Sequence, residues 1–239
     1  MYTMQNQLGF ADCGADGRLK LASAMTLMMN SCQFQEQQEK GFCSYLREHH
    51  IAVFLYSIQL DIYRMPQFLE TVTTAVKIYG CRSIYGLRRL TIRDEKGELC
   101  LIANATGAFF DLAAQKAVKI APAEINIAFD TPEEMECLPR KIAIPSATPE
   151  IMPPYLVTSS RLDPNGHLTS AEYLALAQDR LPDDFSFNRV RIEYKQQAKK
   201  GESLQILRHT AAGNAIIADI RGANGLSCAV TEFSTAKLH

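Results

Sequence analysis

Apolar positions recur with two different periods along this chain, and the change of period divides it into elements. Leu21, Met25, Met28, Met29 and Cys32 fall at i, i+4, i+7, i+8 and i+11, the spacing of one helix face. The pattern predicts a helix from about residue 20 to Lys40, with Gly41 ending it. Residues 3–10 read as an extended edge segment and 12–17 as a loop. After the helix come runs rich in Val, Ile, Thr, Tyr and Phe at 52–63, 69–80, 87–93 and 99–110, which predict four long antiparallel strands. Arg93-Asp94-Glu95-Lys96-Gly97 supplies a hairpin turn between the last two.

Residues 113–153 lack a clear period and carry Pro122, Pro132, Pro139, Pro145, Pro149 and Pro153. They read as a connector between two domains, 1–112 and 154–239, although 120–129 holds enough apolar residues to pack on something. From Tyr155 the earlier order of elements recurs. A strand is expected at 155–162, then a loop, a helix at about 170–180, and strands near 188–198, 203–211, 214–221 and 226–234. Asp16-Gly17-Arg18-Leu19 aligns with Asn165-Gly166-His167-Leu168, Leu60-Asp61-Ile62-Tyr63 with Ile192-Glu193-Tyr194-Lys195, and Glu70 with Glu202. The offset is 149 before the helix and 132 after it, so the first helical region is longer by 17 residues. Two βαββββ units point to a duplication, each with a sheet wrapped around a helix to bury its apolar face. The class is α+β.

The stretch richest in chemistry is the second-copy loop at 160–173. Asp163-Pro164 and Asn165-Gly166 force a tight turn. Thr169 and Glu172 have capping-box spacing, so a helix starts at Ser170. The loop thereby carries Asp163, Asn165 and His167 to a helix N-terminus, whose unpaired N–H groups can polarise a carbonyl or hold an anion. The same residues also suit an ordinary polar turn before a helix. His167 is the natural general acid or base near neutral pH. Asn165 offers an amide to a water or a carbonyl, and Asp163 a carboxylate to set the imidazole tautomer or to fix the loop. The first copy has Arg18 and Asp16 at the positions of His167 and Asn165, so the imidazole belongs to the second copy alone. No Ser or Cys nucleophile stands out, and no G-x-S-x-G elbow is present. Hydrolysis by an activated water fits these residues better than a covalent intermediate.

Composition narrows the field. The chain has 239 residues, 47% hydrophobic and 21% charged, with net charge −1. That describes a globular protein with a real core and gives no global pull toward nucleic acid or a membrane surface. Residues 51–60 form the longest apolar run, interrupted by Ser57 and Gln59 and short of a membrane span. Residues 1–7 do not resemble a signal peptide. The seven cysteines are scattered without a C-x-x-C pair and read as reduced cytosolic thiols. No His, Cys or Asp cluster has metal-ligand spacing, and His49-His50 reads as a solvated pair, so neither a metal nor another cofactor is expected. Arg189, Arg191, Lys195, Lys199 and Lys200 make the strand near 188–198 basic. That suits a solvated outer sheet face or a landing site for an acidic partner.

The second half resembles the acyl-acyl-carrier-protein (acyl-ACP) thioesterases of bacteria and plant plastids, double hot-dog proteins in which each unit is a sheet around one helix. The family pattern D-x-N-x-H-x-N-N-x-x-Y is matched by Asp163, Asn165, His167 and Tyr173, with Thr169 and Ser170 at its two later Asn positions. Its L-E-Y-R-R-E-C-like strand reads here Ile192-Glu193-Tyr194-Lys195-Gln196-Gln197-Ala198. The resemblance implies two tandem hot-dog units and cytoplasmic hydrolysis of acyl-ACP to fatty acid and holo-carrier, without a cofactor. It implies catalytic roles for Asp163, Asn165, His167 and position 197. Gln197 stands where the family has Glu, and Ala198 where it has Cys, which excludes a cysteine nucleophile there and leaves His167 as the base. The Met stripe (Met25, Met28, Met29) reads as core packing and, secondly, as a wall for the acyl chain. A homodimer is compatible with this reading. The alternatives are an acyl-CoA thioesterase or hot-dog dehydratase, for which Glu172 would be the helix carboxylate, and a non-catalytic module binding acyl chains or acyl-ACP.

Overall fold

In the computed structural model, which describes residues 1–125 and 127–238, the apolar helical stripe is buried against a sheet. Helix α1 (Leu21–Gln38) turns Leu21, Ala24, Met25, Met28, Ser31, Cys32 and Gln35 inward. Strand β1 (Tyr2–Gln7) precedes it, and β2 (Ile51–Ile62), β3 (Thr71–Arg82), β4 (Tyr85–Arg93) and β5 (Leu99–Asp111) follow. Their order is β1-β3-β4-β5-β2, and α1 rests mainly on β3, whose alternate residues Val72, Thr74, Val76 and Ile78 are buried. This is the period-2 burial of a one-sided sheet.

Gly41 does not end the helical region. The chain breaks at Glu39 and resumes as α2 (Lys40–Glu48), with Gly41 in its first turn. Phe42 and Leu46, one turn apart on α2, pack with Phe109 and Ile120. That burial offsets the roughly 1 kcal/mol a helical glycine costs. Ile120 belongs to the stretch expected to be a connector, which also holds β6 (Lys116–Ala117), paired with β5, and the short α3 (Pro122–Ile125). Of the predicted ranges, Asn126 and His239 lie outside the described residues.

The chain forms two compact units, Met1–Ile58 with Ile62–Cys137, and Leu138–His239 with Gln59–Asp61. The second contains β7 (Glu150–Leu156), α4 (Ser170–Gln178), β8 (Arg189–Tyr194), β9 (Ser203–Thr210), β10 (Ile216–Arg221) and β11 (Ser227–Ser234). Its antiparallel order is β8-β11-β10-β9-β7, with α4 against β10 and β11. Each unit is thus an antiparallel sheet with a helix on one face. The strand expected at 155–162 lies earlier, at Glu150–Leu156, and includes Pro153 and Pro154. It is the terminal strand of this unit's order, and its register with β9 shifts between Met152 and Tyr155. An edge strand tolerates prolines because one side of its backbone needs no donors.

Of the five basic residues expected on a solvated face or a landing site, Lys195, Lys199 and Lys200 are exposed, whereas Arg189 and Arg191 on β8 are paired and covered. Arg189 donates from Nε and Nη2 to the two carboxylate oxygens of Asp61, at 2.7 Å each. Arg191 makes the same fork to Glu232 at 2.9 Å, and Lys195 Nζ lies 3.6 Å from Glu193. The proline-rich segment lies over these pairs. Arg191 Nη1 donates to Pro139 C=O at 2.7 Å, and Ile142 is buried on Ile217 and Val230. Among the described residues no helix is long and apolar enough to cross a membrane.

Candidate active site

The loop before α4 is folded by its own polar groups. One carboxylate oxygen of Asp163 accepts from Asn165 N–H (2.9 Å) and His167 N–H (3.0 Å), while Asn165 Nδ2 donates to the other at 3.5 Å. Asp163 N–H donates to His167 C=O at 2.8 Å, and Gly166 takes a φ of +79° that glycine adopts freely. Of the two roles open to Asp163, its carboxylate takes up the fixing of the loop. Thr169 caps α4 by accepting from Glu172 N–H at 3.3 Å. The reciprocal half of the expected capping box is missing. Thr169 N–H donates instead to Arg161 C=O at 3.2 Å, and Glu172 accepts a charge-assisted bond from Arg161 Nη1 at 2.9 Å. The bond to Glu172 holds the Arg161 pKa above its usual value.

The second predicted segment reaches this loop through a bulge. β8 ends at Tyr194, and the N–H groups of Lys195 and Gln196 both donate to Cys228 C=O, at 2.8 and 3.2 Å. Two residues against one bends the strand. Ala198 C=O then accepts from Leu168 N–H at 2.9 Å, and Lys199 bridges to His167. The backbone therefore brings the His167 loop and the Gln197 turn side by side. Two phenols lock the arrangement, that of the buried Tyr173 and that of the half-buried Tyr194. Tyr173 Oη accepts from Ala198 N–H at 2.9 Å and donates to Gln196 C=O at 3.4 Å. Tyr194 Oη donates to Ser170 C=O in the first turn of α4 at 3.0 Å, and the two rings meet edge to face at 5.9 Å. Burial pushes both phenol pKa values well above the ordinary tyrosine value, so both stay neutral hydrogen-bonding groups.

His167 is half-buried, and its Nδ1 is buried with no hydrogen-bond partner among the described residues. Asn165 and Gln197 are exposed. A half-buried imidazole, two exposed amides and a helix N-terminus are groups that can accept a proton, orient a water and hold a developing oxyanion. Met25 and Met28 are fully buried on α1, whereas Met29 is only partly buried and turns off the stripe. Among the described residues no group of three or more His, Cys, Asp and Glu side chains could hold a metal ion. Tyr173 and Tyr194 were the residues whose part in this arrangement the sequence did not reveal. Each lies on an apolar face, and only the chain path puts a carbonyl or an N–H opposite its hydroxyl.

The first unit repeats the backbone of this site. Gly14 N–H to Arg18 C=O (2.8 Å) matches Asp163 to His167, Leu19 N–H to Pro66 C=O (2.8 Å) matches Leu168 to Ala198, and the Arg18–Gln67 bridge matches His167–Lys199. The bulge recurs as Tyr63 and Arg64 N–H on Cys100 C=O. The loop and bridge pairs and the bulge donors keep the offsets of 149 and 132 seen in the sequence, whereas the bulge acceptor, Cys228 against Cys100, is offset by 128.

Three solved structures share this fold over nearly the whole chain. An acyl-ACP thioesterase from Bacteroides thetaiotaomicron superposes with TM-score 0.86 at 17% identity, covering 97% of this chain and 96% of its own. A putative oleoyl thioesterase from Lactobacillus plantarum gives 0.83 at 21% identity, covering 99% and 97%. A 12:0-ACP thioesterase from Umbellularia californica gives 0.85 at 14% identity, covering 98% and 96%. These likenesses establish the double hot-dog fold. A search of curated protein sequences finds no match. The family model of the acyl-ACP thioesterase N-terminal domain matches residues 1–127, more than half of the sequence. The chain belongs to the acyl-ACP thioesterase family.

Proposed function

We propose that this acyl-ACP thioesterase cleaves its substrate at the N-terminus of α4, with His167 as the base. A water attacks the thioester carbonyl carbon while the imidazole takes its proton. The developing oxyanion is held by the Asn165 amide and the first-turn N–H groups of α4. As the intermediate collapses, the C–S bond breaks and the sulfur leaves with the proton from the imidazolium, giving free fatty acid and the carrier thiol. Gln197 orients the water through its amide, and Asp163 keeps the loop in shape through the backbone. Met25, Met28 and Met29 are assigned to the acyl-binding wall, where each buried methylene contributes roughly 0.8 kcal/mol to chain-length selection. The setting is cytoplasmic, as the free thiols suggest.

The observation that carries this reading is the pairing of His167 and Leu168 with Lys199 and Ala198, which sets the imidazole loop against the Gln197 turn. The test is thiol release from acyl-ACPs of graded chain length, with matching acyl-CoAs in parallel. Turnover on the ACP esters supports the reading. Faster turnover on the CoA esters would make the protein an acyl-CoA thioesterase, and tight binding without thiol release would make it an acyl-ACP-binding module.

A further inference from the structure

We infer that Tyr173 is a positioning residue for this hydrolysis, its hydroxyl holding the Gln196–Ala198 turn that presents Gln197 beside the His167 loop. The inference rests on the proposed roles of His167 and Gln197. Tyr173 is 3% exposed, and its hydroxyl accepts from Ala198 N–H and donates to Gln196 C=O. These two groups lie on either side of Gln197, which is itself exposed. Cys228 C=O holds the start of the turn and Leu168 N–H its end. Tyr173 alone acts on both flanks of Gln197 among the described contacts.

The first unit shows that the backbone route needs no phenol. Ala24 and Tyr173 are each the fourth residue of their helix, and Pro66 stands at the position of Ala198. Pro66 has no N–H to satisfy, and Ala24 has no hydroxyl to offer. Leu19 N–H still meets Pro66 C=O, and Arg18 still bridges to Gln67. A proline at 198 would therefore meet the folding requirement in the second unit too. That unit instead keeps the N–H and buries a hydroxyl to receive it, which carries its own desolvation cost. What the phenol adds is a tie to both sides of Gln197, and a small displacement of a group that orients the reacting water has a large effect on rate.

Tyr173→Phe keeps the ring and its packing on Tyr194 and removes only the hydroxyl. On acyl-ACP, kcat should fall by about 10²-fold with KM within about twofold of wild type. By hydrogen exchange the Ala198 amide should lose about tenfold or more of its protection. In a Gln197→Ala background nothing remains to be positioned, so adding Tyr173→Phe should change kcat by less than about twofold. Tyr79→Phe, which removes a phenol bond to Asn104 in the first unit, serves as a control and should leave kcat unchanged. Wild-type kcat in Tyr173→Phe, losses that multiply in the double variant, or an equal loss in Tyr79→Phe would each overturn the inference. Absence of wild-type turnover on any acyl-ACP would instead sink the reaction assignment and take the positioning role with it. The exchange experiment tells that case apart, because it reads the turn without turnover.

Discussion

His167→Ala should separate stability from turnover. The imidazole is half-buried, and its Nδ1 has no hydrogen-bond partner among the described residues. The loop is held instead by the His167 backbone, through its N–H to Asp163, its C=O to Asp163 N–H and its bridge to Lys199. An alanine keeps all three. The stability loss is then confined to part of one ring's apolar contact, about 1 kcal/mol. Loss of a positioned base costs ~10²–10⁴-fold in rate, or about 3–5 kcal/mol of barrier. The assay pairs thiol release from acyl-ACP with urea unfolding of the same preparation. The expected result is kcat down by at least about 10²-fold with a denaturation midpoint close to wild type. A folded variant retaining kcat within threefold would refute His167 as the base, and a collapse of stability would refute the backbone account of the loop.

Gln197→Glu puts a carboxylate where the resembling motif has one, and kcat should rise, by up to about 10²-fold if the carboxylate shares the base role; steady-state rates against pH would show this as a new limb at acid pH. Asp61→Ala takes from the buried Arg189 the carboxylate it grips at 2.7 Å from two nitrogens. The expected cost is about 3–5 kcal/mol in urea unfolding, since it leaves a buried cation short of its countercharge. Burial, reinforced by nearby Glu202, pushes the Cys228 thiol from its ordinary 9.0 up to about 11. The native state therefore holds this proton more tightly than the unfolded chain. The resulting stabilisation is complete below about pH 9 and is lost as pH rises through about 11. Cys228→Ala should flatten that part of an alkaline stability profile, and an unchanged slope would remove the thiol from the explanation.

Much of the site is legible in the sequence because its signals are local. The turn at Asp163–His167 follows from Asp-Pro and Asn-Gly, and the helix start from Thr169. Signals that depend on competition between partners were not readable. Arg161 takes both halves of the expected box, its C=O accepting from Thr169 N–H and its guanidinium donating to Glu172 at 2.9 Å, because the chain path brings it there. The charges of β8 looked solvated because the residues that neutralise and cover them, Asp61, Glu232 and the segment around Pro139 and Ile142, are remote in sequence. Gly41 looked like a helix stop because propensity is local, whereas the burial of Phe42 and Leu46 that overrides it is tertiary.

The sequence by itself determined the class, the doubled order of elements and the His167 loop, because periodicity, turn chemistry and capping act over a few residues. The tertiary structure alone decided that Gln197 comes beside that loop, and that two phenols hold the arrangement. A bulge at Lys195 and Gln196 and a bridge between His167 and Lys199 set that meeting. Such contacts join residues about thirty apart, and their register depends on how the whole sheet packs, which no short-range pattern encodes.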